Sequence, residues 1–203
     1  IPFQYNNFEE ILKISETNDL AAIKMEVQRS VPPKDNFLEK VRELCDRKNI
    51  ILIFDECTSG FRECFGGIHL KYGVYPDMSM FGKALGNGYA ITAVIGKKEI
   101  MSYAQSTFIS STFWTERIGP SAALKTLEVM NKKKSWEYIS KKGEMVKKIW
   151  KNLAKKYSLE VEIGGIKPIP YFSIKSENFL KYKTFITQEM LKRNFLASNI
   201  IFL

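Results

Sequence analysis

The stretch Ile50-Ile51-Leu52-Ile53-Phe54-Asp55-Glu56 decides how this chain folds. Its apolar, β-branched and aromatic run is the length of a strand, and continuous burial of this kind predicts a strand covered on both faces. Just upstream, Phe37, Val41, Leu44 and Cys45 recur at three- and four-residue steps, the spacing of an amphipathic helix. Pro32-Pro33 breaks the chain before that helix, Asp35 or Asn36 is its expected cap, and Arg47, Lys48 and Asn49 suit its C-terminal end. Ala21 to Val27 reads as an earlier strand. Strand, helix, strand at this spacing is a βαβ unit, so the sheet is expected to be parallel.

Working outward, Phe8, Ile11 and Leu12 mark a first short helix. Downstream, Asp77 to Phe81 and Tyr89 to Ile95 read as further strands, and about Arg117 to Met130 as a helix. Near Lys132 the pattern changes. Trp136, Ile139, Val146, Ile149, Trp150 and Leu153 form one stripe of a long helix with a basic opposite face, a stripe that reads as core rather than as a ligand box. Leu159 to Ile163 and Ile169 to Ile174 alternate like half-exposed strands around Gly164-Gly165, and about Asn178 to Arg193 reads as a final helix. The expected architecture is α/β: a mostly parallel sheet flanked by helices over residues 1–131, then a linking helix and the start of a small α+β domain over 132–203.

Asp55-Glu56 sits where open α/β sheets bind ligands, beyond the carboxyl end of a strand. Position alone leaves a turn cap, a metal site or a nucleotide-site acid open. Lys83 narrows the choice. It lies in Phe81-Gly82-Lys83-Ala84-Leu85-Gly86-Asn87-Gly88, among small and apolar neighbours that predict a poorly solvated ammonium with a lowered pKa, fit to act as a Schiff-base nucleophile. A nucleotide P-loop needs Ser or Thr after the Lys and Gly five positions before it, but Ala84 and Met78 stand there. A dinucleotide fingerprint fails as well, because Gly86-Asn87-Gly88 opens an expected strand, not a helix.

Composition removes other classes. Lys plus Arg total 31 against 22 for Asp plus Glu, a net +9, yet the lysines are dispersed and no nucleic-acid motif accompanies them. The dense run Lys132-Lys133-Lys134 falls at an expected helix end, where cations are favoured. Cys45, Cys57 and Cys64 have no disulfide spacing and are too few for a zinc site, and His69, the single histidine, reads as a loop or core residue, so no metal is expected. A reduced, cytoplasmic setting follows, with no membrane span or signal peptide in the pattern. Arg62 is expected to anchor its loop by hydrogen bonds. The start without Met and the stop inside the apolar run from Phe195 to Leu203 suggest an internal piece of a longer protein.

Four blocks in order carry a family likeness. Ile51-Leu52-Ile53-Phe54-Asp55-Glu56-Cys57-Thr58-Ser59-Gly60-Phe61-Arg62 is similar to the acid-bearing strand of class III (fold type I) aminotransferases that use pyridoxal 5′-phosphate (PLP). Gly66-Gly67 and Tyr72-Gly73-Val74-Tyr75-Pro76-Asp77 resemble that family's linker, and Phe81 to Tyr89 resembles its cofactor-lysine segment. Ser111-Thr112-Phe113 resembles its later phosphate-contacting stretch. The closest likeness is to glutamate-1-semialdehyde 2,1-aminomutase and its aminotransferase relatives. The resemblance implies PLP as cofactor, Lys83 as its Schiff-base partner and proton shuttle, and Asp55 on the pyridine nitrogen. It places Cys57 on the ring face, Thr58 near the 3′ oxygen, and Thr112 on the phosphate of the neighbouring subunit in a homodimer. It implies a small-molecule amino donor and a carbonyl acceptor, and leaves intramolecular transfer, as in the aminomutase, open. A non-enzymatic α/β module that kept only the fold is the remaining alternative. Glu26-Val27 departs from the family's usual Glu-Pro, and Glu116-Arg117 from its usual Asn-Pro. The in-subunit phosphate loop is expected before residue 1, and the substrate-carboxylate arginine after residue 203.

Overall fold

The computed structural model describes residues 1–113 and 115–203. They form two compact units, Ile1–Lys134 and Ser135–Leu203. In the first, α1 (Phe8–Thr17) precedes β1 (Ala22–Glu26), α2 (Phe37–Lys48) and β2 (Ile51–Asp55). Then come β3 (Met78–Phe81), β4 (Ala93–Gly96), the one-turn α3 (Lys98–Met101) and α4 (Ile118–Lys133). The sheet runs β1-β2-β3-β4, with β1, β2 and β3 parallel and β4 antiparallel to β3.

The βαβ unit forms as its pattern predicts. Helix α2 buries Phe37, Leu38, Val41, Leu44 and Cys45, the stripe spaced for one face. Asn36 does hold the cap position, but in a left-handed conformation with no side-chain bond, so the chain turns into α2 through backbone geometry instead. Asn49, also left-handed, closes the other end by donating its N–H to the carbonyls of Asp46 and Cys45.

Two expectations change. In β2, Leu52 and Phe54 are fully buried while Ile51, Ile53 and Asp55 are only half-buried, so this strand has one sealed face and one open face among the described residues. The expected strand from Tyr89 to Ile95 shortens to Ala93–Gly96. The N–H groups of Tyr89 and Ile91 are used in local turns to Gly86 and Tyr89, at 3.0 Å each, and are lost to a ladder.

The second unit contains α5 (Ser135–Lys156), the antiparallel pair β5 (Val161–Gly164) and β6 (Tyr171–Ile174), and α6 (Phe179–Lys192). Trp150 packs edge-on against Phe172 with ring centroids 4.9 Å apart, so part of the α5 stripe is core. Ile149 and Leu153, on the same stripe, remain 53% and 46% exposed. Gly143 is required in α5 because a Cβ there would lie 1.6 Å from the Lys167 carbonyl oxygen.

Two buried carboxylates brace the sheet at opposite ends. Glu56, with no exposed surface, accepts hydrogen bonds from the Ile68 and His69 N–H groups at 3.0 Å and contacts the His69 ring at 2.9 Å. The Ser59 hydroxyl donates to its other side. At the strands' N-terminal ends, Asp77 accepts from the Leu52 N–H at 2.7 Å and pairs with Arg42 at 2.9 Å and Lys97 at 2.6 Å. Burial pushes the Asp77 pKa up, but the Lys97 ammonium, the Leu52 N–H and the Arg42 guanidinium outweigh it and hold the carboxyl below its ordinary value.

Removing the Glu56 acceptor leaves two backbone donors unpaired inside the protein. Glu56→Ala is therefore expected to lower unfolding free energy by about 3 kcal/mol or more, read by urea denaturation. For Asp77 the folded-state pKa lies below the unfolded one. Its stabilisation is present above the unfolded carboxylate value of about 3.9 and is lost as pH falls through the lower folded value. Melting temperature followed downward from neutral pH should fall through that acid window, and Asp77→Asn, less stable at neutral pH, should show a flatter fall.

Candidate active site

Strand alternation sends adjacent acids to opposite sides. Glu56 follows Leu52 and Phe54 inward, and Asp55 follows Ile51 and Ile53 onto the half-open face. Asp55 thus stands at the carboxyl end of β2 with its side chain 24% exposed. Lys24 on β1 reaches its Oδ2 at 3.0 Å, and the Cys57 N–H donates to its Oδ1 at 3.1 Å. Burial raises the Asp55 pKa, but the bonds from Lys24, the Cys57 N–H and the Cys57 thiol reverse this and hold the carboxyl below its ordinary value. The thiol responds in the opposite sense: burial and then the Asp55 charge push its pKa up.

The residues after Glu56 turn sharply because Glu56 anchors them. The Gly60 N–H returns to the Glu56 carbonyl at 2.8 Å, and a Cβ on Gly60 would lie 2.7 Å from that oxygen and from the Phe81 ring. Gly67 lets His69 and Glu56 meet, since a Cβ there would lie 2.3 Å from His69 Nδ1. His69 is buried at this junction, in a packing position. Arg62 anchors the same loop by donating Nε to the Thr58 carbonyl at 2.9 Å. Thr58 itself is buried.

Lys83 comes from the next strand. After β3 ends at Phe81, the chain makes a short 3-10 turn over Lys83–Leu85, closed by the Leu85 N–H on Gly82 at 3.0 Å. Leu85 is buried with Phe81 and Ala123 of α4, and this tethers the turn from one side. Lys83 itself has φ 46°, a left-handed conformation that costs a non-glycine residue on the order of 1 kcal/mol. Its Nζ donates to Thr58 Oγ1 at 2.5 Å. Among the described residues Lys83 is exposed, while its apolar neighbour Leu85 turns away into the core.

The fold therefore gathers Asp55, Cys57, Thr58 and Lys83 at the carboxyl ends of the adjacent parallel strands β2 and β3. Thr112 stands exposed on the loop before α4, and no hydrogen bond or ion pair among the described residues joins it to this group. Lys24 is the site contact that sequence pattern does not single out. A lysine at an outward position of a strand reads as solvated, and only the β1–β2 register, Lys24 opposite Ile53, brings it beside Asp55. Among the described residues no cluster of His, Cys, Asp and Glu could hold a metal ion.

This geometry can be set beside known proteins. The model of the family described as aminotransferase class-III matches residues 5–167. The 3-aminobutyryl-CoA aminotransferase of Cloacimonas acidaminovorans is 36% identical over 198 residues, covering 92% of this chain and 47% of that protein. The glutamate-1-semialdehyde 2,1-aminomutase of Nitrosopumilus maritimus is 40% identical over 143 residues, 66% of this chain and 34% of that one. Among solved structures, the FumI protein of Sphingopyxis sp. MTA144, in its PLP internal aldimine form, superposes with a TM-score of 0.92. At 21% identity it shows the fold alone, the fold-type-I α/β architecture, over 100% of this chain and 51% of its own. The chain thus spans about half the length of the first of these relatives and of this structure. A family model matched from residue 5 to 167, with the acid-ended strand and the lysine turn inside it, makes this chain a member of the class-III aminotransferases.

Proposed function

We propose that the full-length protein transfers amino groups with PLP, and that Asp55 and Lys83 are its catalytic residues. The observation that carries this is an acid and a primary amine brought to the carboxyl ends of two neighbouring parallel strands, the acid's pKa held down by Lys24 and Cys57 and the amine bonded to Thr58, three residues beyond the acid. That donor set suits the cofactor: an anion for a basic ring nitrogen, and an amine for an aldehyde. Gly82 lets these strand ends approach closely, since a Cβ there would crowd Thr92 at 3.3 Å and touch Cys57 Sγ at 3.5 Å. A PLP ring, when bound, supplies an aldehyde for primary amines and an electron sink for charge released at the substrate α-carbon.

The chain's own groups do the rest. Asp55, anionic through Lys24 and Cys57, holds a proton on the ring nitrogen and so keeps the ring electron-poor. Lys83 Nζ would hold the cofactor at its aldehyde and, as a free amine, would move the proton at the substrate α-carbon. Thr58 aims that amine. Cys57 lies between the two, its thiol turned to Asp55, and flanks the ring. Thr112 is assigned to the cofactor phosphate of the neighbouring subunit in a homodimer.

Ile1–Lys134 then forms the later part of the cofactor-binding domain, and Ser135–Leu203 the linking helix and the start of the small domain. The substrates are a small-molecule amino donor and a carbonyl acceptor. Transfer between molecules is the primary reading, because the relative matched over 92% of this chain is named an aminotransferase. Transfer within one molecule is the second, favoured by the 40% identity to an aminomutase over a shorter stretch. Three free cysteines and no helix long and apolar enough to cross a membrane, among the described residues, support a cytoplasmic setting.

In the full-length protein, borohydride reduction followed by peptide mapping should place the cofactor on Lys83, and Lys83→Ala should lose the adduct. Cofactor found on another lysine overturns the assignment. Asp55→Asn should still bind cofactor but turn over at least about a hundredfold more slowly, the scale set by loss of one aimed electrostatic group. Near-normal turnover in that variant would remove Asp55 from the mechanism.

A further inference from the structure

Lys24 occupies an unusual place for a surface lysine. It lies on β1 at the position opposite Ile53, on the half-open face that also carries Asp55, and its ammonium sits 3.0 Å from Asp55 Oδ2. Asp55 Oδ1 is taken by the Cys57 N–H at 3.1 Å. The two carboxylate oxygens are therefore held from two sides by two different elements, which fixes the plane of the carboxylate. An ionised carboxylate offers about four lone-pair positions, and this arrangement leaves capacity facing away from β1.

We propose that Lys24 is a positioning residue for the ring-nitrogen acid: it keeps Asp55 ionised and correctly turned before any cofactor arrives. The inference rests on the reading of Asp55 given above. Burial acts toward the neutral form of Asp55, the Lys24 bond is the first of the contacts that oppose it with those from Cys57 beside it, and a neutral acid cannot hold a proton on the ring nitrogen. The other charged or titratable groups around Asp55 do not replace it. Glu26, Asp55's neighbour in the β1–β2 register, is acidic and faces Arg29 at 3.4 Å. Cys57, just after β2, resists ionisation. Lys83, after β3, is the other nearby cation, and its Nζ is on Thr58. Its amine is also the group committed to the aldehyde, where it no longer serves as a fixed cation. Lys24 is thus the protein's own cation on Asp55 before the cofactor arrives. An isolated ion pair with an exposed lysine contributes little to folding, so the pair's effect is expected in cofactor binding rather than in stability.

The test uses the full-length protein freed of cofactor, with Lys24→Met, Lys24→Arg and Asp55→Asn variants, and pyridoxal phosphate as the probe. The Asp55 carboxyl carbon, assigned by its loss in Asp55→Asn, is titrated by carbon NMR. Pyridoxal phosphate affinity is measured across the same pH range. Lys24→Met should move the Asp55 midpoint to higher pH, weaken pyridoxal phosphate binding on the order of fivefold at neutral pH, and start the acid loss of binding at higher pH than wild type. Lys24→Arg should restore all three. An unchanged Asp55 midpoint in Lys24→Met, or no restoration by Lys24→Arg, overturns the inference. If Asp55→Asn alters pyridoxal phosphate affinity or spectrum while Lys24→Met behaves as wild type, only the role of Lys24 falls. If Asp55→Asn changes neither, the reading of Asp55 falls and takes Lys24 with it.

Discussion

A carboxylate sealed from water must find its donors inside the protein, and Glu56 finds them in the loop that follows it. The Ile68 and His69 N–H groups, the His69 ring and the Ser59 hydroxyl all converge on one side chain with no exposed surface. Burying such a charge unpaired would cost several kcal/mol, so the loop cannot open without exposing or orphaning it. The position of Thr58 depends on this. So does the sharp turn at Gly60 that packs against Phe81, the last residue of the strand that leads to Lys83. An inward acid thus sets the geometry of the outward one beside it.

The half-open face of β2 has a chemical consequence. On the sealed face, Leu52 and Phe54 contribute roughly 1.5–3 kcal/mol each by burial. The other face carries Asp55, Lys24 and Glu26, charges that a sealed sheet would exclude. A strand with one dry and one polar face can hold an ionised group at its end without the full desolvation cost. Asp55 shows the balance: burial acts against its charge, and close donors restore it.

Much of this was legible in the sequence where period and composition agree. The β2 run ending in acids, the α2 stripe and the helical period of α5 each carry a local signal that fixes the element, while the burial of its faces is set by tertiary context. The family likeness of those same blocks agrees with the family that the comparisons show. What was not legible depends on pairs distant in the chain. The Glu56–His69 contact needs the loop already closed, and the Lys24–Asp55 pair needs the register of two strands separated by a helix. The shortened β4 was misread for a local reason. Apolar and aromatic residues from Tyr89 onward suit a strand, but Gly88 at φ 104° turns the chain there, and the Tyr89 and Ile91 N–H groups close local turns on Gly86 and Tyr89.

The left-handed Lys83 connects these observations. Strain at a non-glycine residue persists only where surrounding contacts over-determine it. Here the contacts come from two directions. Leu85 is anchored among Phe81 and Ala123, which fixes the turn from the core side, and Thr58 holds the amine from the β2 side. Thr58 is itself fixed through Arg62 and the Glu56-braced loop. The amine is therefore placed by the packing of both strand ends, not by its own flexible stem. The Thr58 bond gives the end of an exposed four-carbon side chain a partner next to Asp55. The left-handed residue stands in a turn whose next apolar side chain, Leu85, is anchored in the core, so the strain is held by packing on that side.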